Sequence, residues 1–482
     1  MKVSNLVGTE DKILGEDCEI TSLSCNSKKI KEGSLYFCIN GTHTDGHKFA
    51  LDAVKNGAKA VVCEKILNLP DDVTQIVVEN SRKAMGEMAS RFYNYPQKNM
   101  KVIMVTGTNG KTTTTYILKK ILEDAGFKVG VIGTNGTQIG DKHINSNLTT
   151  PDPIELFDLL NQMKKENCNF VCMEASAHAL ALEKLAGIQA DISILTNITQ
   201  DHLDFFKDMD NYAKAKEKLF KKGKSKIAIF NADDYYGDRL FYKSEIPCLS
   251  YGIDENADIK AEYVTQNKNG QSFMAHIGSK NQKFDIQLDG KFNISNALAG
   301  IAVAEILGLD QQKVAKSLAN FPPVAGRFNK IDKNGVHVVI DYAHTPDGIA
   351  NILSATKQMA NNNKVIAVFG CGGNRDASKR PLMGQIACDL ADYAVITSDN
   401  PRYEDPEQII KNICKGIKNY SNYETIVDRK EAIKKAISLA KPGDVVAILG
   451  KGNEDYLDIK GVKVPYSDRE VVDEIETRPV KE

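Results

Sequence analysis

The sequence has no surplus of charge of either sign. Its 62 Lys and Arg residues nearly balance 63 Asp and Glu residues, which leaves a formal net charge of −1. A chain without an overall basic field does not attract nucleic acid or an anionic membrane surface, so we expect neither as a partner. Any anionic ligand must be bound by local groups.

Long apolar runs and paired-cysteine motifs are also missing. No apolar stretch is long enough to span a bilayer, and the first twenty residues lack the apolar core of a signal peptide, so we expect a cytoplasmic protein. The ten cysteines include no CxxC pair, and the nearest two, Cys168 and Cys172, lie in a predicted buried strand. Reduced core thiols are therefore favoured over a disulfide framework or a zinc site.

The length and the pattern of the sequence predict an α/β protein of three domains. A chain of 482 residues with 42% hydrophobic residues exceeds what one core usually organises. Breaks at YNYPQKN and FPPVAGRF separate a small N-terminal α/β domain (1–98), a central parallel-sheet domain with a phosphate loop (99–325) and a C-terminal Rossmann-like domain (326–482).

Unusual polar sequences follow the predicted strands directly. They are TGTNGKTTT, Glu174, DHLD, DYAHTPD, GCGGNRD, DNPR and GKGNED. In open α/β sheets, ligands bind in the crevice outside the carboxyl ends of the strands. These sequences are therefore expected to line substrate sites on two facing domains.

The segment from Gly107 to Thr112 stands between a predicted strand and a predicted helix, as a phosphate loop does. Its glycines let backbone amides approach a polyphosphate, Lys111 can reach the terminal phosphates and Thr112 can ligate Mg²⁺. Val105 departs from the strict GxxxxGK[ST] spacing. The alternative is a glycine-rich turn that binds no ligand.

Glu174 and His202 each follow an apolar strand, from which their side chains could converge on a metal ion beside the phosphate loop. Each residue has a plainer interpretation. A glutamate at a strand end is often solvated, and a single histidine more often makes a local hydrogen bond.

Many motifs in one order link the chain to a known family. They are GTNGKTTT, NLTTPD, MEASAHAL, TNITQDHLD, NYAKAKEKLF, GKFNISNALA, AGRF, DYAHTPD, GCGGNRDASKRPLMG, SDNPRYEDP and GKGNEDY. Over nearly its whole length the sequence resembles the Mur ligases, and within them the members that add the third peptide residue to UDP-N-acetylmuramoyl-L-alanyl-D-glutamate. The resemblance implies a UDP-sugar-binding first domain, a central ATPase domain and a third domain that receives the amino acid. It also implies ATP and Mg²⁺ as cofactors, an acyl-phosphate intermediate and a role in peptidoglycan precursor synthesis.

The resemblance implies a set of contacts to the UDP-muropeptide. These residues are Ser27, Thr42, His43, Thr44, Asn147, Thr149, Thr150, Ser176 and Lys184. Two positions depart from the family pattern, because Leu182 stands where glutamine is common and Lys184 where arginine is common. A lysine supplies a positive charge, but it cannot donate the two parallel hydrogen bonds that an arginine guanidinium gives to a carboxylate or phosphate. Apart from the family, the segments SCNSKK and GTHTDG would be interpreted as polar turns.

The resemblance also implies the residues of the ATP site and its metal. ATP would contact Gly107, Thr108, Asn109, Gly110, Lys111, Thr112, Thr113, Asn296, Arg327 and Asp341. The metal ligands would be Thr112, Glu174, His202 and Lys216 as a carbamate, and the catalytic residues Lys111, Lys216, His202 and Arg327. On its own pattern, Lys216 would be a solvated lysine of a charged helix and Asp341 would belong to a turn with a capping aspartate.

The third implied site binds the amino acid. Its residues are Arg375, Asp399, Asn400, Pro401, Arg402, Gly450 and Glu454. The DNPR sequence predicts meso-2,6-diaminopimelate, because a guanidinium can hold the distal carboxylate that L-lysine lacks. Ligation of L-lysine remains the alternative within this activity. Further alternatives are a folylpolyglutamate-type ligase and a nucleotide-gated binding protein without turnover. We expect a monomer.

Overall fold

The computed structural model describes residues 1–41, 44–146, 148–267 and 270–475. The predicted sites at Thr42, His43 and Asn147 therefore lie outside the described residues. Three large sheets follow one another along the chain, each covered by helices, which confirms the predicted three-domain α/β class. The domain boundaries at 98 and 325 stay predictions.

The first sheet has five strands in the order β1-β5-β4-β3-β2, with β1 antiparallel to β5 and the other pairs parallel. The strands are β1 Lys12–Leu14, β2 Ser22–Ser24, β3 Ser34–Phe37, β4 Ala58–Cys63 and β5 Thr74–Val77. The helices are α1 Ala50–Lys55 and α2 Ser81–Phe92. Strand β3 is buried along its whole length, as its run of apolar residues requires.

The second sheet has eleven strands in the order β16-β15-β14-β13-β12-β11-β6-β10-β7-β8-β9. The strands are β6 Lys101–Thr106, β7 Val129–Gly133, β8 Gly136–Ile139, β9 Lys142–Ile144, β10 Phe170–Glu174, β11 Ala190–Leu195, β12 Ser225–Asn231, β13 Cys248–Gly252, β14 Ile259–Asn267, β15 Gly270–Ile277 and β16 Lys280–Ile286. The helices are α3 Lys111–Asp124, α4 Pro153–Lys165, α5 Ala177–Ala181, α6 Leu203–Phe206, α7 Met209–Glu217, α8 Tyr235–Tyr242, α9 Lys291–Ile306 and α10 Gln311–Ala319.

The middle of this sheet is parallel, as the sequence predicts, but both edges are antiparallel. Strands β15 and β16 extend it on one side and β8 and β9 on the other. Strand β15 alternates between buried and half-buried residues, β16 is largely exposed in its first half, and both lack the continuous apolar runs that indicate a parallel strand. That pattern explains why the edge strands are harder to predict.

Strand β6 lies between β10 and β11, so the chain leaves β6 at the point where the strand order reverses. Helix α9 packs against α3 behind this point and is buried almost all round, since its sequence is apolar on every face. Gly300 permits the close approach, because a Cβ atom there would lie 2.7 Å from Ile117 Cγ2. The phosphate-loop helix is thereby held on a rigid support.

The third sheet has six strands in the order β17-β18-β22-β19-β20-β21, with only β17 antiparallel to its neighbour. The strands are β17 Asn329–Lys333, β18 Val336–Asp341, β19 Val365–Phe369, β20 Tyr393–Ile396, β21 Tyr423–Thr425 and β22 Val445–Leu449, followed by the hairpin β23 Tyr456–Ile459 and β24 Val462–Pro465. The helices are α11 Pro346–Ala360, α12 Lys379–Leu390, α13 Pro406–Cys414, α14 Arg429–Leu439 and α15 Asp468–Glu474. No helix of the described residues is long and apolar enough to cross a membrane.

Candidate active site

The loop between β6 and α3 has the geometry of a phosphate-binding site. Gly107 and Gly110 have φ values of +150° and +87°, a backbone region that favours glycine. Gly110 caps α3 without a side-chain hydrogen bond, so the first amides of the helix point into the cavity. The Lys111 ammonium donates to the carbonyls of Gly107 and Thr108, at 2.9 and 2.8 Å. Burial lowers the pKa of Lys111, although Glu174 acts in the opposite direction.

Glu174, at the end of β10, lies beside the loop and is fully buried. Its Oε1 atom accepts hydrogen bonds from the Thr112 hydroxyl at 2.9 Å and the Thr134 amide at 2.8 Å, and the Thr134 hydroxyl reaches Oε2 at 3.1 Å. The Arg327 Nη2 atom donates to Thr112 Oγ1 at 2.9 Å. A residue from the start of the C-terminal domain therefore completes the phosphate loop.

Lys216 on α7 is 1% exposed, so it is not the solvated lysine that its charged helix suggests. Its ammonium donates to the Gly107 carbonyl at 2.7 Å and lies 4.6 Å from the centre of the Tyr212 ring. Burial lowers its pKa well below the usual range, and the charge of Lys111 lowers it further. The amine is thus held next to the phosphate loop in an environment that disfavours its charged form.

His202 faces Asp201, with 3.2 Å between Nε2 and Oδ2. Burial lowers the pKa of His202 to about 3, against the attraction of Asp201. Asp201 also binds two residues of the C-terminal domain: Lys379 Nζ at 2.8 Å and His344 Nε2 at 3.7 Å. Burial opposes ionisation of Asp201, but the interactions with His344 and Lys379 hold its pKa well below the usual range.

The predicted nucleotide contacts Asn296 and Asp341 both line the cavity. Asn296 Nδ2 donates to Asn293 Oδ1 at 3.2 Å, and Asn296 Oδ1 accepts from the Thr114 hydroxyl at 3.3 Å. The Asp341 carboxylate accepts from the backbone amides of Phe328 and Ala343, both at 2.7 Å. Asp341 thereby holds the segment that carries Arg327, a role that its predicted nucleotide contact did not include.

The predicted amino-acid end is formed by the loops after β20 and β22. Asn400 Nδ2 donates to Glu454 Oε2 at 2.8 Å. Arg402 Nη1 donates to the Gly373 carbonyl at 2.9 Å, and Arg402 Nε lies 3.7 Å from Asp458 Oδ2. The Arg402 backbone has a φ of +51° and is fixed by hydrogen bonds to the β23–β24 hairpin.

Asp399 and Gly450 support this end from behind. Asp399 is buried, and although burial opposes its ionisation, Arg429 and Lys451 lower its pKa. Gly450 has a φ of +114°, and a Cβ there would lie 2.6 Å from an Asp399 oxygen. Pro401 is buried within the same loop, whereas Arg375 is exposed at the cavity wall.

The predicted muropeptide contacts form a second group next to the phosphate loop. The Thr150 hydroxyl donates to the Glu174 carbonyl at 2.8 Å, and the Ser176 amide donates to Thr150 Oγ1 at 3.1 Å. Thr149 reaches Thr134 at 3.1 Å between their hydroxyls. Lys184 Nζ pairs with Asp152 Oδ1 at 2.7 Å.

Ser27 and Thr44 lie farther out, on loops of the N-terminal domain. Ser27 belongs to a short helical turn whose N-cap is Asn26, and Thr44 is exposed. Ser27 and Thr44 do not line the central cavity.

One cavity of about 600 Å³ is lined by residues of the loop after β6 and of the predicted amino-acid end. Among the predicted residues it is lined by Gly107, Thr108, Asn109, Gly110, Lys111, Thr112, Thr113, Thr149, Glu174, Ser176, His202, Lys216, Asn296, Arg327, Asp341, Arg375, Asp399, Asn400, Arg402, Gly450 and Glu454. A volume of this size is typical of a ligand site. The predicted residues that do not line it include Thr150, Lys184 and Pro401.

Four further residues were not singled out from the sequence, namely Asp201, His344, Lys379 and Lys451. Each belongs to a polar sequence that follows a strand, so the strand-end position could have indicated it. Their partners could not be predicted, because Asp201 and Lys379 are 178 residues apart in the chain. In the described part of the chain, no three His, Cys, Asp or Glu side chains are grouped to hold a metal ion.

Three family models match the chain: "Mur ligase family, catalytic domain" over residues 19–93, "Mur ligase middle domain" over 105–304 and "Mur ligase, glutamate ligase domain" over 326–452. A protein of Clostridium botulinum named UDP-N-acetylmuramoyl-L-alanyl-D-glutamate--2,6-diaminopimelate ligase is 42% identical over 95% of both chains. A protein of Clostridium acetobutylicum with the same name, numbered 1, is 43% identical over 98% of this chain and 99% of its own.

The chain belongs to the Mur ligase family. A solved structure titled as a UDP-N-acetylmuramoyl-L-alanyl-D-glutamate--2,6-diaminopimelate ligase has a TM-score of 0.67 and 32% identity, and covers 94% of this chain and 95% of its own. A MurF ligase of Thermotoga maritima, solved in complex with ADP, has a TM-score of 0.64 at 22% identity and covers 89% of this chain and 93% of its own. This second likeness supports the Mur ligase fold. Family membership confirms the resemblance deduced from the ordered motifs.

Proposed function

We propose that the chain is an ATP-dependent ligase that joins meso-2,6-diaminopimelate to UDP-N-acetylmuramoyl-L-alanyl-D-glutamate in peptidoglycan precursor synthesis. The observation that carries the proposal is the single cavity in which Lys111 and Arg327 lie at one end and Arg402 and Glu454 at the other. A ligase of this kind must hold a nucleotide phosphate and an amino acid on either side of one reacting carboxylate. The full-length similarity to ligases named for this reaction supports the same substrates.

The chemistry begins with a carboxylate, which is a poor electrophile. A carboxylate oxygen of the muropeptide attacks the γ-phosphorus of ATP, the bond from that phosphorus to the β–γ bridging oxygen breaks, and ADP leaves. The product is an acyl phosphate. Lys111 and Arg327 act by neutralising charge on the transferred phosphoryl group, and the free amides of α3 supply further donors. No covalent bond to the protein is required.

The second half of the reaction forms the amide. The α-amino nitrogen of the amino acid, in its neutral form, attacks the acyl carbon, and the carbon–oxygen bond to phosphate breaks. Inorganic phosphate leaves and the new amide nitrogen loses a proton. The cavity favours this step over hydrolysis because residues of both domains, Asp201 and Lys379, close one side of it with a buried ion pair.

We assign the magnesium ion of phosphoryl transfer to the oxygen atoms beside the loop. The Thr112 hydroxyl and the Glu174 carboxylate lie 2.9 Å apart and are ligands of the type that Mg²⁺ prefers. The ion would neutralise phosphate charge when bound. Lys216 fits the set only as a carbamate, because an ammonium cannot ligate a cation. His202 fits less well, since its nitrogen is a softer ligand and faces Asp201.

A carbamate forms when a neutral amine adds carbon dioxide. The lowered pKa of Lys216 supports this modification, because it increases the neutral fraction of the amine near pH 7. A cytoplasmic location belongs to the same proposal: ATP is available there, and all ten cysteines are free thiols that a reducing compartment preserves. The monomeric state stays a prediction.

The test is to measure ADP release with purified protein, ATP and Mg²⁺, adding the muropeptide and the amino acid separately and together. Ligation requires that ADP release depends on UDP-N-acetylmuramoyl-L-alanyl-D-glutamate and that the amide product appears only with the amino acid present. ADP release supported by a folate substrate instead would favour the folylpolyglutamate-type alternative. Nucleotide binding without turnover under any combination would favour the binding protein.

A further inference from the structure

Behind Asn400 and Glu454, at the amino-acid end of the cavity, lies a buried cation for which the reaction described above has no role. The Lys451 side chain is 0% exposed, and its Nζ atom lies 3.0 Å from Glu454 Oε2 and 3.2 Å from Asn400 Oδ1. The ammonium also lies 5.6 Å from the centre of the Tyr456 ring. Burying a lysine ammonium is costly unless it is paired, so a lysine at this position calls for an explanation beyond packing.

The contacts of Lys451 fix the orientation of the Asn400 amide. Asn400 Oδ1 accepts from Lys451 Nζ and also from the Asp458 backbone amide, at 2.9 Å. With the oxygen occupied by two donors, Asn400 must direct its Nδ2 atom to Glu454 Oε2, which it reaches at 2.8 Å. One N–H of the Asn400 amide is therefore used within the protein, where it holds Glu454.

The two carboxylate oxygens of Glu454 consequently have different surroundings. Oε2 accepts from both Lys451 and Asn400, whereas Oε1 has only a long contact of 3.5 Å from the Tyr342 hydroxyl among the described hydrogen bonds. Glu454 lines the cavity. One oxygen is thus anchored on the protein side, and the other is available on the cavity side.

We propose that Lys451 is a positioning residue for amino-acid recognition: it anchors Glu454 Oε2, so that Oε1 is presented to the distal ammonium of a diamino acid. The inference rests on the proposed function, which places that substrate beside Arg402 and Glu454. Arg402 holds the distal carboxylate, and Glu454 the ammonium on the same carbon. The cavity then selects amino acids whose distal carbon carries both a carboxylate and an ammonium group. Lys451 affects recognition of the ammonium group and not of the carboxylate.

The experiment compares two substrates of the Lys451→Met variant, which removes the charge and retains most of the side-chain volume. The first is meso-2,6-diaminopimelate, and the second is L-2-aminopimelate, which keeps the distal carboxylate but lacks the distal ammonium. We expect KM for diaminopimelate to rise by about 10-fold or more, because a hydrogen bond to a charged group is worth about 1.5–3 kcal/mol. KM for L-2-aminopimelate should change by less than about 2-fold, within the range of a neutral substitution.

The matched control is Lys434→Met. Lys434 has the same i,i+3 relation to an acidic residue, Glu431, at 2.9 Å, but it lies on the exposed face of α14. This variant should leave both KM values unchanged. A structural defect at Lys451 would raise KM for both substrates alike, and that result would overturn the proposal. So would an unchanged KM for diaminopimelate in a folded Lys451→Met protein.

If Lys451→Met does not fold, Lys451→Arg takes its place in the experiment. Arginine keeps the positive charge but places it at a different distance from Glu454. It is expected to raise KM for diaminopimelate more than KM for L-2-aminopimelate, and an equal rise for both would reject the role. A different outcome would contradict the proposed function itself. If the unmutated protein does not discriminate diaminopimelate from L-2-aminopimelate or L-lysine, the substrate placement is wrong, whereas discrimination that Lys451 does not affect rejects only the positioning role.

Discussion

Lys111 and Lys216 donate to the same acceptor, the carbonyl oxygen of Gly107, at 2.9 and 2.7 Å. They come from different helices, α3 and α7, and are 105 positions apart in the printed sequence. Burial disfavours the charged form of both amines, and the charge of Lys111 disfavours that of Lys216 further. The pKa of Lys216 lies well below its usual range, so we expect Lys216 to be the amine that is modified.

Replacement of Lys111 by methionine is expected to lower kcat for ligation by about 10² to 10³-fold, the effect typical of losing one donor that stabilises the transition state. The side chain contributes charge and no core packing, so the fold should persist. The measurement is steady-state ADP release together with a thermal unfolding curve. Lys119→Met is the control, because Lys119 lies on the same helix and pairs with Glu123 at 2.9 Å. Near-normal turnover by a folded Lys111→Met protein would disprove the phosphate role.

Lys216→Ala is expected to lose ligation, and added short-chain carboxylates such as formate or acetate are expected to restore part of it. A small carboxylate can supply the oxygen ligand that the carbamate provides. Activity is measured across a range of carboxylate concentrations, and the carbamate carbon is sought by NMR after exposure to ¹³C-labelled carbon dioxide. Lys214→Ala, an exposed position on the same helix, should need no rescue. A fully active protein with an unmodified Lys216 would reject this account.

The half-buried imidazole of His202 predicts a dependence of stability on pH. Its folded-state pKa of about 3 lies below the ordinary value of 6.5, so the folded protein binds one proton fewer than the unfolded chain between these values. The contribution of His202 to the free energy of unfolding is therefore fully present above pH 6.5 and is lost as the pH falls toward 3. The urea midpoint should fall between pH 7.5 and pH 5, and by less in His202→Gln. An equal fall in both proteins would show that other groups are responsible.

The ion pair between Asp201 and Lys379 joins the central and C-terminal domains, and both side chains are less than 10% exposed. Lys379→Met leaves Asp201 buried with a weaker partner, and breaking such a pair costs about 3–5 kcal/mol. We expect Lys379→Met to unfold at a lower urea concentration than the unmutated protein. Lys357→Met is the comparison, since Lys357 pairs with Asp392 at 3.0 Å at the surface, where ion pairs contribute about 0–1 kcal/mol. Equal effects of the two substitutions on the urea midpoint would contradict a stabilising role for the Asp201–Lys379 ion pair.

Arg402→Ala is expected to lower the preference for meso-2,6-diaminopimelate over L-lysine by about 10²-fold or more, since two charge-assisted hydrogen bonds to the distal carboxylate are lost. Turnover of the muropeptide with ATP should remain detectable at high amino-acid concentration. The control is Arg469→Ala, because Arg469 pairs with Asp473 at 2.7 Å on the exposed α15. An unchanged preference in Arg402→Ala would show that Arg402 does not bind the distal carboxylate.

Much of the fold follows from local pattern. The continuous apolar run of β6 predicts a buried parallel strand, and the polar residues after it predict a loop at the ligand edge of the sheet. The antiparallel edge strand β15 was not predicted, because it alternates between buried and half-buried residues and lacks a continuous apolar run. Sheet order cannot be obtained from periodicity alone, since it depends on contacts between distant strands.

The candidate site could be predicted as a set of residue types but not as a set of contacts. Arg327 was expected at the phosphates, and its hydrogen bond to Thr112 agrees with that position. Asp341 was expected at the nucleotide, yet its carboxylate holds two backbone amides. Lys451 lies within a predicted polar loop, but it is completely buried and contacts Asn400, which is 51 residues away in the chain. Such long-range packing has no local signature in the sequence.

The central claim is that the cavity ligates an amino acid with a distal carboxylate and a distal ammonium. Its most direct test is a competition assay in which the unmutated protein receives ATP, Mg²⁺, UDP-N-acetylmuramoyl-L-alanyl-D-glutamate and equal concentrations of meso-2,6-diaminopimelate and L-lysine. The products are then resolved by mass. A site built around a polar group rejects an analogue that lacks it by as much as about 10⁴ to 10⁵-fold, so the diaminopimelate product should account for essentially all ligation. Equal or greater formation of the lysine product would contradict the claim.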